Sequence, residues 1–469
     1  MIGVAMLLVL GLAAAPPVDT PSPRDAAAVT SGESPPSEPP SSEPPSGDPP
    51  SSESPSSESP SSESPSSESP SSESRPDAPP LGKSTPAEPR STATRRWSAS
   101  GPWVPNAWPT QQSCALDPVD APWCLLIRAD VFTGARIGTI GGARQSEFRL
   151  DRAEAATGLL WKPATRFETG GIVALESIRS AGPQSVTGID GDSLIVRLLE
   201  AYGHAAAHFG PIDVGLRAGL VPERWIEQVE KGYDTRGFDA LASDRVRMFD
   251  RADIGASLVA SGWDSRVDLD LEIVNGEGRA QRERNRGKNT TAIVTVRPVL
   301  RAHPRGPIVL ALHGGFRDGS VGIASIADRR GAAAVSFASP WVYGGVEYVH
   351  ALGFGGRGDV RANTLGVWAS GRILPRWLGV MAKYDRVVLD LEAPDSTIHV
   401  VGCAAFSDVF EHIDRNRRRV RVYAGYQFEG YGQGAAPLPG ATTAQDAHRF
   451  LLQLELRGLA RIGPKEQRP

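Results

Sequence analysis

Arg266-Val267-Asp268-Leu269-Asp270-Leu271-Glu272-Ile273 alternates ionic and aliphatic residues without a break. A strand sends successive side chains to opposite faces. The octet therefore has one face of Val267, Leu269, Leu271 and Ile273 and another of Arg266, Asp268, Asp270 and Glu272. The segment from Phe450 to Ile462 repeats the scheme. Phe450, Leu452, Leu454, Leu456, Gly458, Ala460 and Ile462 share one face; Leu451, Gln453, Glu455, Arg457, Leu459 and Arg461 share the other. Period-two sets recur at Leu125–Val131, Ile212–Leu220, Leu365–Ile373, Leu378–Tyr384 and Val420–Phe428. Segments of about 10 alternating residues, repeated many times behind an export signal, mark a transmembrane β-barrel.

A soluble β-sandwich also alternates, because it wets one face and buries the other. Two features favour the barrel. The charged face is long, and the apolar face is built of Val, Leu and Ala. Aromatics (Trp123, Trp161, Trp263, Trp341, Trp377, Tyr426 and Phe428) fall near segment ends, as girdles at two membrane boundaries would. Short turns at Lys162-Pro163-Ala164, Gly210-Pro211, Ser261-Gly262, Ser339-Pro340 and Leu374-Pro375 alternate with long polar connections. The long ones are expected near 179–192, 222–249, 275–288, 314–329, 354–362 and 407–416. The fold expected is an all-β, antiparallel transmembrane barrel of about sixteen strands over residues 122–463. The connection near Pro222 to Val229 has helical character and is expected to fold into the lumen.

Residues 1–15 read as a secretory signal peptide, apolar and ending in small residues. Residues 16–96 are Pro, Ser and Glu, with the unit Pro-Ser-Ser-Glu-Ser repeated from Pro50 through Ser74. So little is apolar that the segment is expected to be a disordered acidic linker, reaching on the order of 250 Å if extended at ~3.1 Å per residue. It is either inert or a spacer that touches the cell wall or a periplasmic partner. Residues 97–121 lead into the barrel. Residues 16–94 hold 13 acidic and 4 basic side chains, so within the total of −4 the remainder carries +5. That balance, with one compact basic run at Arg415–Arg419, does not suggest nucleic acid. Cys114 and Cys124 could pair in an oxidising compartment, and Cys403 reads as a small packing residue. No Cys/His set has metal spacing, and no cofactor is implied.

Glu200-Ala201-Tyr202, Arg217-Ala218-Gly219-Leu220-Val221-Pro222, Ile273-Val274-Asn275-Gly276-Glu277-Gly278 and Arg297-Pro298 follow one another in an order that resembles the phosphate-selective (O and P type) porin superfamily. The resemblance spans roughly 148–300. It implies a sixteen-stranded channel in the outer membrane of a Gram-negative-type bacterium, commonly a homotrimer. The family's arginine ladder and lysine cluster have no clear counterpart here, so phosphate selectivity is not implied.

Four motifs resemble catalytic or modification signals: Gly191-Asp192-Ser193-Leu194, Leu312-His313-Gly314-Gly315-Phe316, Gly353-x-Gly355-Gly356-x-Gly358 and Asn289-Thr290-Thr291. A hydrolase needs its serine on a strand-to-helix turn beside a base, and helices between strands. Neither is evident, and no catalytic residue is assigned. The candidate site is the ionic face. Arg128, Arg152, Arg217, Arg266, Asp268, Asp270, Glu272, Arg297, Arg372, Lys383, Arg419, Arg421, Glu455 and Arg457 are expected to line a pore, since charge facing lipid costs about 2–4 kcal/mol per Arg or Lys at mid-bilayer. The expected function is passive diffusion of small hydrophilic solutes or ions, weakly favouring anions. Alternatives are a non-conducting barrel plugged by its own loops, with a structural or adhesion role, and, less favoured, a secreted β-rich binding module or hydrolase.

Overall fold

A computed structural model describes residues 123–462, apart from 165, 180–193, 277–286, 304–305, 323–324, 375–376, 413–416 and 439–443. The expected signal peptide, linker and lead-in lie outside the described residues, as do Gly191–Ser193.

Sixteen strands form one closed antiparallel barrel. In chain order they are β1 (Trp123–Ile140), β2 (Ala143–Ala164), β3 (Phe167–Arg179), β4 (Leu194–Phe209), β5 (Ile212–Pro222), β6 (Ala252–Gly262), β7 (Val267–Val274), β8 (Asn289–Arg301), β9 (Ile308–Asp318), β10 (Arg329–Ala338), β11 (Val342–Leu352), β12 (Arg361–Leu374), β13 (Leu378–Val388), β14 (Thr397–His412), β15 (Arg417–Tyr431) and β16 (Ala447–Ile462). Each pairs with its chain neighbours, and β1 pairs with β16 from Leu125 opposite Ile462 to Ile140 opposite Ala447. Closure leaves no unpaired edge, which is the condition a sheet must meet in hydrocarbon.

The seam and the turns explain which connections are long. One end of the barrel carries the start of β1, the end of β16 and the short turns, such as Gly210-Pro211 and Trp263–Arg266. The other carries the long connections, including 223–251 and 432–446. One tight turn belongs to the long end. Gly141 and Gly142 have φ of 53° and 84°, the left-handed pair that a two-residue hairpin requires. The polar stretch 407–416 is not a long loop: β14 continues to His412 and only 413–416 remain to connect it to β15. A bulge at Val409, between Asp408 and Phe410, puts two apolar residues on the outer face in succession and breaks the alternation.

The aliphatic sets face outward and are exposed; Ile127, Leu159, Val173, Leu216, Leu271 and Leu452 are examples. The charged sets face inward, and most are buried. A greasy exterior of this extent around an ionic interior is the inverse of a soluble sheet protein and suits contact with lipid tails. No described helix is long and apolar enough to cross a membrane.

The phase of alternation inverts at the long-loop end of β11–β14. There Val349, Ala351, Ala362, Val387, Ile398 and Val400 point inward and are buried, while His350, Asn363, Arg386 and His399 point outward. Cys403 is free and exposed on the outer face, not packed. Cys124 is disulfide-bonded, with its partner outside the described residues.

Candidate functional site: a loop folded inside the barrel

Residues 223–251 leave β5 and turn into the lumen. They form a short helix α1 (Arg224–Val229), a 3-10 turn (Glu230–Gly232) and a second short helix α2 (Ala242–Arg245). Their composition explains the direction. Trp225, Ile226, Val229, Tyr233, Leu241, Val246, Met248 and Phe249 are apolar or aromatic and cannot stay in water cheaply. All eight are buried against Ile293, Ala334, Val349, Ala351, Ala362, Trp368, Val387, Ile398 and Val400 of the wall. Each such side chain contributes about 1.5–3 kcal/mol by leaving water. Trp225 stacks on Phe249 with centroids 5.7 Å apart. Gly315 of β9 makes room: a Cβ there would come within 2.9 Å of the Trp225 ring. The inverted phase of β11–β14 is thus the seat of this loop.

Polar contacts pin the loop on several sides. Arg224 and Gln228 both donate to Asp270 of β7, and Arg217 of β5 donates to Glu227 at 3.1 Å. Ser243 donates twice to Glu347 of β11, and the Trp368 indole of β12 donates to the Gly232 carbonyl at 3.0 Å. Lys383 of β13 lies 3.3 Å from Asp239. Arg419 and Arg421 of β15 reach Asp234 at 2.8 and 3.0 Å. On the far wall Arg236 donates to Glu154 of β2 at 2.8 Å. Burial opposes ionisation of Asp234, but Arg421 and Arg419 outweigh it and hold its carboxyl below the usual range. Lys231 goes the other way: burial, then the nearby Arg297, lower its amine to about 8.

Elsewhere on the inner wall several ion pairs leave the arginine outermost, while Arg149 and Glu147 are about equally accessible. Arg152 bridges Glu154 and Glu176; Arg197 also binds Glu176. Arg372 binds Asp408, and Arg449 binds Glu429. In each case the arginine is the accessible partner: Arg152 and Arg197 are 16% and 18% exposed over a Glu176 at 1%, and Arg372 is 18% exposed over an Asp408 at 3%. The acids lie beneath and orient the bases above them. The loop adds Arg247, exposed and held at φ 56°, a left-handed conformation uncommon for a non-glycine residue. It lies within electrostatic range of Asp250 first, then Arg197, Asp244 and Glu176.

Of the residues expected on the ionic face, Arg128, Arg152, Arg217, Asp268, Asp270, Glu272, Arg297, Arg372, Lys383, Arg419, Arg421, Glu455 and Arg457 all sit on the inner side of the wall. Several are sealed rather than wet; Asp270, Glu272, Lys383, Arg421 and Glu455 are almost fully buried. Arg266 is off the wall altogether: it is exposed in the Trp263–Arg266 turn and reaches the Pro298 carbonyl. The alternation ran one residue past the strand, because a turn residue continues the pattern by chance. The loop residues Asp234, Arg236, Asp239 and Arg247 carry no periodic signal and were not foreseen. Leu312–Phe316 lies mid-strand, with His313 between Thr295 and Ser336, so it forms no strand-to-helix turn. Among the described residues no group of acidic, His or Cys side chains could hold a metal.

No family model matches the chain, and no curated protein does. The phosphate-selective resemblance therefore gains no support from that side. Solved structures do show similarity. OmpT of Vibrio cholerae, an outer membrane protein in a trimer form, is 12% identical, covering 72% of this chain and 100% of its own, with a TM-score of 0.49. The anion-selective porin from Comamonas acidovorans is 10% identical over 71% of this chain and 99% of its own, with a TM-score of 0.48. Pseudomonas aeruginosa OpdL is 10% identical over 72% and 99%, with a TM-score of 0.40. At these identities and scores no property of those proteins is transferred to this chain.

Proposed function

We propose that this chain is an outer-membrane channel through which small hydrophilic solutes or ions diffuse passively, with anions favoured. The observation that carries the reading is the layered charge of the inner wall. Guanidinium groups at Arg152, Arg197, Arg372 and Arg449 face the accessible space, and their carboxylates are buried behind them. A mobile ion meets the exposed charge first, and the low-dielectric wall strengthens that field. The inward loop narrows the opening on one side and contributes Arg247 to it. Residence in the outer membrane is supported by the aliphatic exterior; assembly as a trimer is implied by the sequence resemblance.

The experiment is a planar bilayer holding the purified full chain, with a salt gradient across it. Anion preference is expected in the reversal potential, and clear cation preference overturns it. A second reading has its own support: the loop reaches both Glu347 and Glu154, on separate walls, and so could plug the barrel. Absence of steady conductance from correctly folded protein would favour that reading.

A further inference from the structure

Where the wall inverts its polarity, the outer face carries a charge for which the described residues supply no counterion. Arg386 of β13 points outward, directly across from Leu365 of β12 and His399 of β14. Among the described residues no ion pair reaches Arg386, although Asp390 and Glu392 lie in the next connection. Elsewhere on the same rim an outward arginine behaves differently, for Arg329 is paired with Asp318 at 2.8 Å. Beside Arg386, the Tyr384 hydroxyl and His399 Nδ1 are 2.9 Å apart, and their rings stack with centroids 6.0 Å apart. His350 and Asn363 face outward on the neighbouring pair.

Height fixes what surrounds this group. Trp377 is exposed at the short-turn end of the same strand. Nine residues separate it from Arg386. At ~3.3 Å per residue that is about 30 Å of strand, and a tilt near 40° leaves a height of about 23 Å. The apolar band of such barrels is about 25 Å tall. Arg386 therefore stands at the opposite boundary, where charge is tolerated and headgroups begin.

We propose that Arg386, with His399 and Tyr384 beside it, docks the phosphate of a phosphorylated lipid headgroup in the leaflet around the long-loop end. A guanidinium recognises phosphate through paired donors, and the His399 Nε2, its Nδ1 being engaged by the Tyr384 hydroxyl, adds one more polar atom. The absent carboxylate leaves those donors available, and the aromatic rings give the lipid's sugar or glycerol a flat surface. The proposal rests on the membrane placement above, and its test separates the two, because lipid binding and conductance are read independently.

The probes are a diphosphorylated lipid A-type glycolipid, its dephosphorylated form and inorganic phosphate, titrated onto the detergent-purified full chain and followed by native mass spectrometry. The phosphorylated lipid is expected to bind about tenfold more tightly than the dephosphorylated one, the effect of one charge-assisted contact. Arg386→Gln should remove most of that difference, Arg386→Lys should keep only part of it because it keeps the charge and loses the paired donors, and the control Arg329→Gln should retain it. Inorganic phosphate should not compete. If Arg386→Gln fails to fold, Leu365→Glu places a carboxylate directly opposite the guanidinium and should give the same loss. Equal binding of the two lipids, parental affinity in Arg386→Gln, or full competition by inorganic phosphate would overturn the proposal. Conductance should be unchanged in Arg386→Gln, because the side chain lies on the outer face.

Discussion

Lys231 shows how a half-buried residue of the inner loop ties the barrel to pH. Unfolded, its amine keeps a proton up to 10.5; folded, it does so only up to about 8. Between those values the unfolded chain binds more protons, so stability rises with pH across that window, and below about 8 the penalty is fully present. Lys231→Met should therefore melt higher than the parent at pH 7, and the advantage should shrink toward pH 10.5. Parallel melting curves at several pH values check this, and a constant offset would contradict it. The wall arginines were legible in the sequence because each occupies a fixed parity within an alternating run. Lys231 and Arg247 were not. They lie where the backbone has no period, and only the folded loop places them near Arg297 and Arg197.

The loop 223–251 is the element on which the proposed opening depends. Its docking is largely hydrophobic, so it should yield to a cavity rather than to a single lost ion pair. Trp225→Ala removes a fully buried side chain that fills the space over Gly315. Large aromatic-to-alanine changes cost about 3–5 kcal/mol in packed cores. The barrel wall itself is untouched, so the loss should appear as a loosened loop. Single-channel recordings are expected to show larger and noisier currents than the parent, and unchanged traces would mean the loop does not bound the passage. The strands themselves were readable because one face of each meets a uniform medium. The seat of the loop was not, since Val349, Ala351, Val387 and Ile398 follow the same period as the lipid-facing rows with opposite parity. Periodicity reports that two faces differ, and only the ring's closure reports which of them is inside. The helical hint at Pro222–Val229 identified the start of the loop, but its remaining residues are irregular and left no pattern.

For the whole molecule, the sheet has a single seam, between β1 and β16, and it joins strands at opposite ends of the chain. Such non-local pairing forms slowly, because a long loop must close before any contact is gained. The loop, meanwhile, is enclosed by wall on several sides and shares one hydrophobic core with it. A bulky knot of aromatics is hard to thread into a sealed ring. The expected order is that the loop's aromatics gather the strands they pack on and serve as a mandrel around which the staves curve until the last one meets the first. Refolding of Trp225→Ala into lipid, followed by heat-modifiable gel migration, should then reach the compact form several-fold more slowly than the parent, whereas an equal rate would mean the stave-ring is completed before its contents settle.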